Sequence, residues 1–267
     1  MKKVLVTGPT GYIGGRLIPR LLAKGYAVRC LAQHPDDLAG RPWAGSVEIF
    51  KGDVHENEGL AAALAGIDAA YYLVHSMAAF PGFEKVEELS ALNFARAAAA
   101  AGCGRVIYLG GLGKEGNSLS RHLASRRRVG DILRSHRTPV TEFRTAMIVG
   151  SGSISFEMIR YLVERLPVIP IRRLPQARCQ PLSVRDALSY LIDCLEKPRT
   201  AGRIIEIGGG YFPQLRGPPA HLRGDPRPEA PVHRSAPLEC GFLQRGGGAD
   251  NPGAEDLRAH AYGEPGQ

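Results

Sequence analysis

Three glycines near the start of the chain have the spacing of a loop that holds phosphate groups. Gly8, Gly11 and Gly14 follow a short apolar run and open a segment with helical periodicity. Gly8 permits a tight turn, Gly11 lets a pyrophosphate approach the backbone, and Gly14 lets the helix pack closely on the sheet. The helix N-terminus then offers free N–H groups to the phosphates. The spacing predicts a dinucleotide-binding loop rather than an unliganded turn, with contacts from Gly8, Thr10, Gly11, Tyr12, Ile13 and Gly14.

The residues that follow the second apolar run bear on the choice of dinucleotide. Asp or Glu at this place favours NAD, and Arg favours the 2′-phosphate of NADP. The chain has Gln33 and His34 there, and no carboxylate. Gln33 can hydrogen-bond either ribose form, whereas His34 and Arg29 favour a phosphate. These residues predict NADP as the cofactor, with NAD as the alternative.

The third and fourth apolar runs end in further candidate contacts. Asp53 can accept a hydrogen bond from the adenine amine while Val54 packs on the ring; the alternative is that Asp53 caps the next turn. Leu73, Val74 and His75 end the fourth run, where the second ribose and the nicotinamide would pass. A purely structural role is the alternative for His75.

Strands and helices alternate along the first 150 residues. Buried apolar runs predict strands at residues 4–7, 27–32, 47–54, 69–75, 105–112 and 140–150. Helical periodicity predicts helices at residues 11–23, 59–66, 84–101 and 121–135. This alternation predicts an α/β fold, a doubly wound parallel Rossmann sheet with helices on both faces.

The pattern changes twice after this point. Residues 151–210 contain an amphipathic helix ended by Pro167, a short strand, a helix from Val184 and a strand at 203–210. We expect them to form a small, incomplete substrate lobe beside a dinucleotide-binding domain of residues 1–150. Residues 211–267 are rich in Pro and Gly and lack apolar periodicity, which predicts either a disordered tail or out-of-frame translation.

Together these motifs resemble a known superfamily. The segments VLVTGPTGYIGGRLI, KGDV, YYLVHS, RVIYLGGLG and QPLSVRDAL are similar to the short-chain dehydrogenase/reductase superfamily. They are closest to its atypical, extended branch of NAD(P)H-binding and epimerase/dehydratase-like proteins. The resemblance covers residues 3–210 and implies a Rossmann fold and a nicotinamide cofactor.

The catalytic residues of that superfamily are not found at the matching positions. Its members carry a Ser after the fifth strand and a Tyr-x-x-x-Lys on the next helix, which exchange a proton with the reacting oxygen. Here the strand ends in Gly110 and Gly111, and the helix offers His122 and Arg126 at the same i, i+4 spacing. His122 replaces the tyrosine, or this helix is a solvated basic face beside a degenerate site. The catalytic residues therefore stay unassigned, with His122, His75 or water as the proton donor.

Two further arginines lie where they can order the cleft. Arg144 ends the sixth strand beside the expected nicotinamide position, and Arg185 begins a helix of the predicted lobe. A structural ion pair is the alternative for both.

Two functions follow from these residues. The first is an NAD(P)-dependent oxidoreductase acting on an unknown small carbonyl or sugar-like substrate. The alternative is a non-catalytic NAD(P)H-binding redox sensor or assembly factor, which the missing Tyr and Lys favour.

Composition limits the environment and the partners. The chain has 267 residues and a net charge of +8, but no aromatic residues interleave the arginines of the basic helix predicted at 121–135, so no nucleic-acid partner is expected. Its five cysteines are scattered, which argues against a disulfide framework or a structural zinc site and indicates a reducing compartment. No signal peptide or membrane span is predicted, and we expect a cytoplasmic protein.

Overall fold

The computed structural model describes residues 2–75, 82–113, 120–165 and 180–209. The predicted tail at residues 211–267 and the predicted helix end at Pro167 lie outside these ranges. Within them, the strands are β1 (Lys3–Thr7), β2 (Ala27–Ala32), β3 (Glu48–Lys51), β4 (Ala69–Tyr72), β5 (Val106–Gly111), β6 (Val140–Thr145), β7 (Ile148–Val149), β8 (Leu182–Ser183) and β9 (Ile204–Ile207). The helices are α1 (Gly14–Ala23), α2 (Leu60–Leu64), α3 (Phe83–Ala100), α4 (Arg121–Arg134), α5 (Ile154–Arg165) and α6 (Val184–Asp193).

Seven strands form one parallel sheet in the order β3-β2-β1-β4-β5-β6-β9. The chain runs outward from β1 to β3 and then returns to place β4 on the other side of β1. This reversal opens a crevice at the carboxyl ends of β1 and β4, where doubly wound folds bind their ligands. The predicted doubly wound Rossmann fold is confirmed.

Apolar side chains cover both faces of the sheet. On one face, Leu17 and Leu21 of α1 share a buried cluster with Leu188 and Leu191 of α6. On the other, the ring of Tyr72 lies 5.0 Å from Phe94 and 6.1 Å from Tyr108, measured between centroids. Burial on both faces explains why the strands read as continuous apolar runs rather than as alternating ones.

Residues beyond 180 pack onto this same sheet. β9 pairs in parallel with β6, and the hydroxyl of Tyr71 in β4 donates to the Leu191 carbonyl of α6 at 2.7 Å. A separate two-stranded pairing joins β7 to β8. The division into a domain of residues 1–150 and a partial lobe of residues 151–210 stays a prediction.

Several predicted elements are shorter or divided in the structure, and the physical reason is visible for three of them. The strand predicted at residues 47–54 ends at Lys51, because Asp53 pairs across a turn with Glu58. The helix predicted at 59–66 is only Leu60–Leu64 and begins after Gly59, whose φ is 69°. The strand predicted at 140–150 is divided into β6 and β7, because the chain leaves the main sheet after Thr145 to pair with β8.

Candidate functional site

One large pocket lies at the carboxyl ends of the central strands. Its volume is about 810 Å³, within the usual range for small-molecule and cofactor sites. All twelve residues predicted to bind the dinucleotide line it: Gly8, Thr10, Gly11, Tyr12, Ile13, Gly14, Gln33, Asp53, Val54, Leu73, Val74 and His75. The twelve residues predicted from the sequence therefore lie together along the wall of one pocket.

The glycine loop has the geometry that its spacing predicts. Gly8 directly follows the last residue of β1. Its φ of 67° lies in the left-handed region, which favours glycine. A Cβ on Gly14 would overlap the carbonyl oxygen of Gly8, so α1 packs against the loop only without a side chain there. Gly11 donates its N–H to the Gly8 carbonyl at 3.1 Å, which closes the turn.

Thr7 is a supporting residue that the motif analysis missed. It is fully buried; its Oγ1 donates to the Tyr71 carbonyl and accepts from the Leu73 N–H, both at 3.1 Å. The hydroxyl therefore joins β1 to the end of β4, where the order of the sheet reverses. Its only signal in the sequence is a hydroxyl residue between the strand and the first glycine.

Tyr12 and Arg16 connect the loop to the segment after β7. The Arg16 guanidinium lies 4.0 Å from the Tyr12 ring centroid and donates to the Ser151 carbonyl at 3.0 Å. The Tyr12 hydroxyl is buried and has no hydrogen-bond partner in the part of the chain that the structure describes. A Cβ on Gly150 would lie 2.6 Å from that hydroxyl, so glycine makes room for the ring.

Gln33 and Asp53 meet at the end of the pocket assigned to the adenine. The Gln33 amide donates to Asp53 Oδ2 at 2.5 Å, while Asp53 Oδ1 accepts from the His55 N–H at 2.7 Å. The second hydrogen bond is the turn cap that was the alternative for Asp53. The contact of Asp53 with an adenine amine stays a prediction.

Arg29 does not face this pocket, contrary to the expectation that it would favour a phosphate. Its guanidinium is buried and donates to the carbonyls of Ala62, Ala63 and Ala65 at 2.8–3.1 Å, and it forms an ion pair with Glu48. Arg29 thus binds the carbonyls at the carboxyl end of α2. The alternation of side chains along β2 turns it away from the ligand.

The opposite end of the pocket is formed by β5 and α4. His122 and Arg126 both line it, next to Gly110 and Gly111. A Cβ on Gly111 would lie 2.6 Å from Leu123 Cδ2. Leu123 therefore occupies the space that a side chain at Gly111 would need.

His75 faces this end of the pocket. Desolvation of the ring, followed by the positive charge of Arg126, lowers the pKa of His75 to about 4, although the residue as a whole is exposed. The imidazole is therefore neutral at pH 7. The permanent positive charge at this end comes from Arg126.

Arg144 and Arg185 do not line the pocket. Arg144 is buried and donates to Glu142 Oε1 at 2.7 Å, and Arg134 of α4 pairs with the other oxygen of the same carboxylate. The structural ion pair, left open for Arg144, is the arrangement observed. Arg185 is exposed, and its carbonyl accepts from Arg20 at 3.4 Å.

Thr145 is a second pocket residue that the sequence did not single out. It ends β6, is only 5% exposed, and lines the pocket. Its Oγ1 has no hydrogen-bond partner among the described residues. Burial of an unpaired hydroxyl is unfavourable, so a bound molecule that pairs with it gains free energy.

The described residues include three cysteines and six α-helices. Cys30, Cys103 and Cys194 are buried free thiols. No helix in these ranges combines the length and the apolar character needed to cross a bilayer.

Solved structures with this architecture include nucleotide-sugar enzymes. A nucleoside-diphosphate-sugar epimerase from Staphylococcus aureus superimposes with a TM-score of 0.65 at 18% identity, covering 80% of this chain and 73% of the epimerase. UDP-glucuronic acid 4-epimerase from Bacillus cereus, solved in complex with NAD, gives a TM-score of 0.64 at 17% identity, covering 79% and 78%. At these identities the likeness shows the fold alone.

Sequence comparison adds a family and curated relatives. The NmrA-like family profile matches residues 1–203. Ceramide reductase from Caulobacter vibrioides is 29% identical over 199 residues, which cover 73% of this chain and 61% of that protein. Divinyl chlorophyllide a 8-vinyl-reductase from Oryza sativa subsp. indica is 24% identical over 222 residues, covering 77% and 54%. The chain thus spans between half and two thirds of the length of these relatives.

Proposed function

Because this chain belongs to the NmrA-like family, we propose that it is an NAD(P)-dependent oxidoreductase that prefers NADP(H). The observation that supports this most strongly is the single pocket lined by all twelve predicted dinucleotide contacts. The two curated relatives named above are reductases, which favours a redox reaction. The substrate is a small carbonyl or sugar-like compound.

The glycine loop supports one direction for the bound cofactor. The pyrophosphate would lie over Gly11 at the N-terminus of α1, with the adenosine towards Gln33 and Asp53 and the nicotinamide towards His75. When bound, the cofactor supplies the hydride. The protein supplies orientation, and Gly8 and Gly14 support it by holding the turn and the helix close together.

The preference for NADP(H) rests on the residues that follow β2. Gln33 lines the pocket there, and its amide can hydrogen-bond either ribose form without repelling a 2′-phosphate as a carboxylate would. Asp37 also lines the pocket, but it follows Pro35 and lies beyond the end of the strand. His34 lines the pocket nearby and adds a group that can carry positive charge.

The protein groups near the nicotinamide end limit the proton chemistry. The low pKa of His75 keeps its imidazole neutral at pH 7, so the ring can accept a proton or a hydrogen bond but is a poor proton donor. His122 lines the same end of the pocket, next to the guanidinium of Arg126. Of the candidates from the sequence, His122 or a water molecule is therefore the proposed proton donor.

The test is to mix the protein with NADPH and a panel of aldehydes, quinones and ketones, and to follow the absorbance of the reduced nicotinamide. We expect saturable NADPH binding and oxidation with at least one carbonyl class. Tight binding without turnover on any compound would indicate the non-catalytic redox sensor instead. Failure to bind either nicotinamide cofactor would contradict the proposal altogether.

We also propose a cytoplasmic location. Its support is chemical: Cys30, Cys103 and Cys194 are free thiols in the folded chain, as is usual in a reducing compartment.

A further inference from the structure

The pocket has acidic and basic groups at different ends. Among the described residues, the carboxylates that line it are Asp37 and Asp53, which follow β2 and β3. Arg126 of α4 lines the other end of the pocket. The Cβ of Arg126 would lie 3.9 Å from a Cβ built on Gly111. A ligand that extends along the pocket therefore meets a positive charge at the end of β5.

Arg126 differs in its partners from three other arginines of α4. Arg121 pairs with Glu84, Arg128 with Glu88, and Arg134 with Asp131. Arg126 has no ion pair with any residue that the structure describes, and its guanidinium carbon lies 5.8 Å from the ring centroid of Tyr108. A half-buried guanidinium without an anion is a strong donor set for a carboxylate or a phosphate.

Thr145 gives a second, independent sign of a ligand at this end. Its side chain is more than nine-tenths buried and its hydroxyl is unpaired within the described residues, yet it lines the pocket. The hydroxyl is a further donor for an oxygen-rich group of a bound molecule.

Apolar side chains surround these polar groups. Leu112 follows β5 and Leu123 lies in α4. Met147 and Ile148 follow β6, and Ile154 begins α5. Such walls favour a ligand with an apolar body rather than a fully hydroxylated one.

The geometry points to an organic oxyanion as the substrate class: an apolar body that packs on these walls, with a carboxylate or phosphate head group bound by Arg126. This inference rests on the proposed function, which places the cofactor along the remaining wall of the same pocket. It makes Arg126 a substrate-binding residue rather than a group that holds the nicotinamide ribose.

The first measurement compares three ring compounds by calorimetric titration of the full chain, both with NADPH bound and without it. They are benzoate, phenyl phosphate and the neutral benzamide. At least one of the two anions should bind about tenfold or more tightly than benzamide, as expected for a charge-assisted hydrogen bond. The tighter anion identifies the head group. Equal binding of benzamide and both anions, or no anion binding in either state, would overturn the inference.

The second measurement removes the charge. Arg126→Gln should weaken binding of the preferred anion at least about tenfold, Arg126→Lys should restore part of it, and NADPH affinity should change less than about twofold. Arg128→Gln is the matched control, because it removes the same charge from the same helix at a residue that does not line the pocket.

The outcomes separate the inference from the proposed function. If Arg126→Gln weakens NADPH and leaves the anion unchanged, Arg126 holds the cofactor and the inference is wrong. An equal loss of anion affinity in Arg128→Gln, a general charge effect, also overturns it. If no nicotinamide cofactor binds but the anion still depends on Arg126, the inference survives while the proposed function fails.

Discussion

At the scale of single residues, hydrogen bonds hold the end of the pocket at Gln33 and Asp53 in place. The Gln33 amide donates to Asp53, and Asp53 in turn accepts from the His55 N–H. Asn93 of α3 adds hydrogen bonds to the carbonyls of Val54 and His55, at 3.1 and 2.8 Å. Substitutions at Gln33 therefore act on a turn that is fixed from two sides.

Gln33→Arg should tighten NADPH binding more than NADH binding, by about tenfold in the ratio of the dissociation constants. A guanidinium at this place can pair with a 2′-phosphate, which NADH lacks. The measurement is a titration with each reduced cofactor, followed by nicotinamide fluorescence. Gln33→Met is the control, since it keeps the side-chain length and adds no charge. Equal effects of Gln33→Arg on both cofactors would rule out this placement of Gln33.

His75 makes the stability of the fold depend on pH. Its pKa is about 4 in the folded chain and 6.5 in the reference state, so between these values the unfolded chain binds more protons. Stability from this residue is complete above pH 6.5 and is lost as the pH falls through 4. We expect the fall in melting temperature between pH 7 and pH 4.5 to be smaller in His75→Gln. The same fall in both proteins would show that the ring titrates normally.

At the scale of elements, one carboxylate joins the sheet to a helix. Glu142 of β6 is 1% exposed and lies between Arg144 on its own strand and Arg134 on α4. Gly130 makes room for it, because a Cβ there would lie 2.7–2.9 Å from the carboxylate group. The position of α4, and with it the place of Arg126 in the pocket, depends on this packing.

Glu142→Gln should destabilise the chain by about 3–5 kcal/mol, because it leaves the buried guanidinium of Arg144 without an anion and removes one of the two anions that pair with Arg134. Urea unfolding followed by circular dichroism measures this change in the free energy of unfolding. Glu206→Gln is the matched control: it is an exposed residue of the neighbouring strand β9, and its change should stay within about 0.5 kcal/mol. A loss for Glu142→Gln no larger than that of the control would contradict the role given to the pair.

At the scale of the whole molecule, the sheet and its ligand-binding edge could be read from the sequence. The buried apolar runs and the Gly8–Gly11–Gly14 spacing depend on local chemistry, and the structure and the family comparison confirm the fold. The partners of Arg29 and the unpaired hydroxyl of Thr145 could not be read in this way. Both depend on which face of a strand meets which helix, and that is set by tertiary packing.

The packing of α6 on α1 has a consequence for the chain while the ribosome is still translating it. Arg20 and the carbonyl of Arg185, which meet at this interface, are 165 residues apart. A ribosome needs on the order of ten seconds to add such a length, and until then Leu17 and Leu21 lack the α6 side chains that complete their buried cluster. The nascent chain therefore leaves the α6-facing flank of its first βα unit uncovered throughout most of its translation. We expect this flank to be the part of the nascent chain that binds chaperones specific for hydrophobic segments.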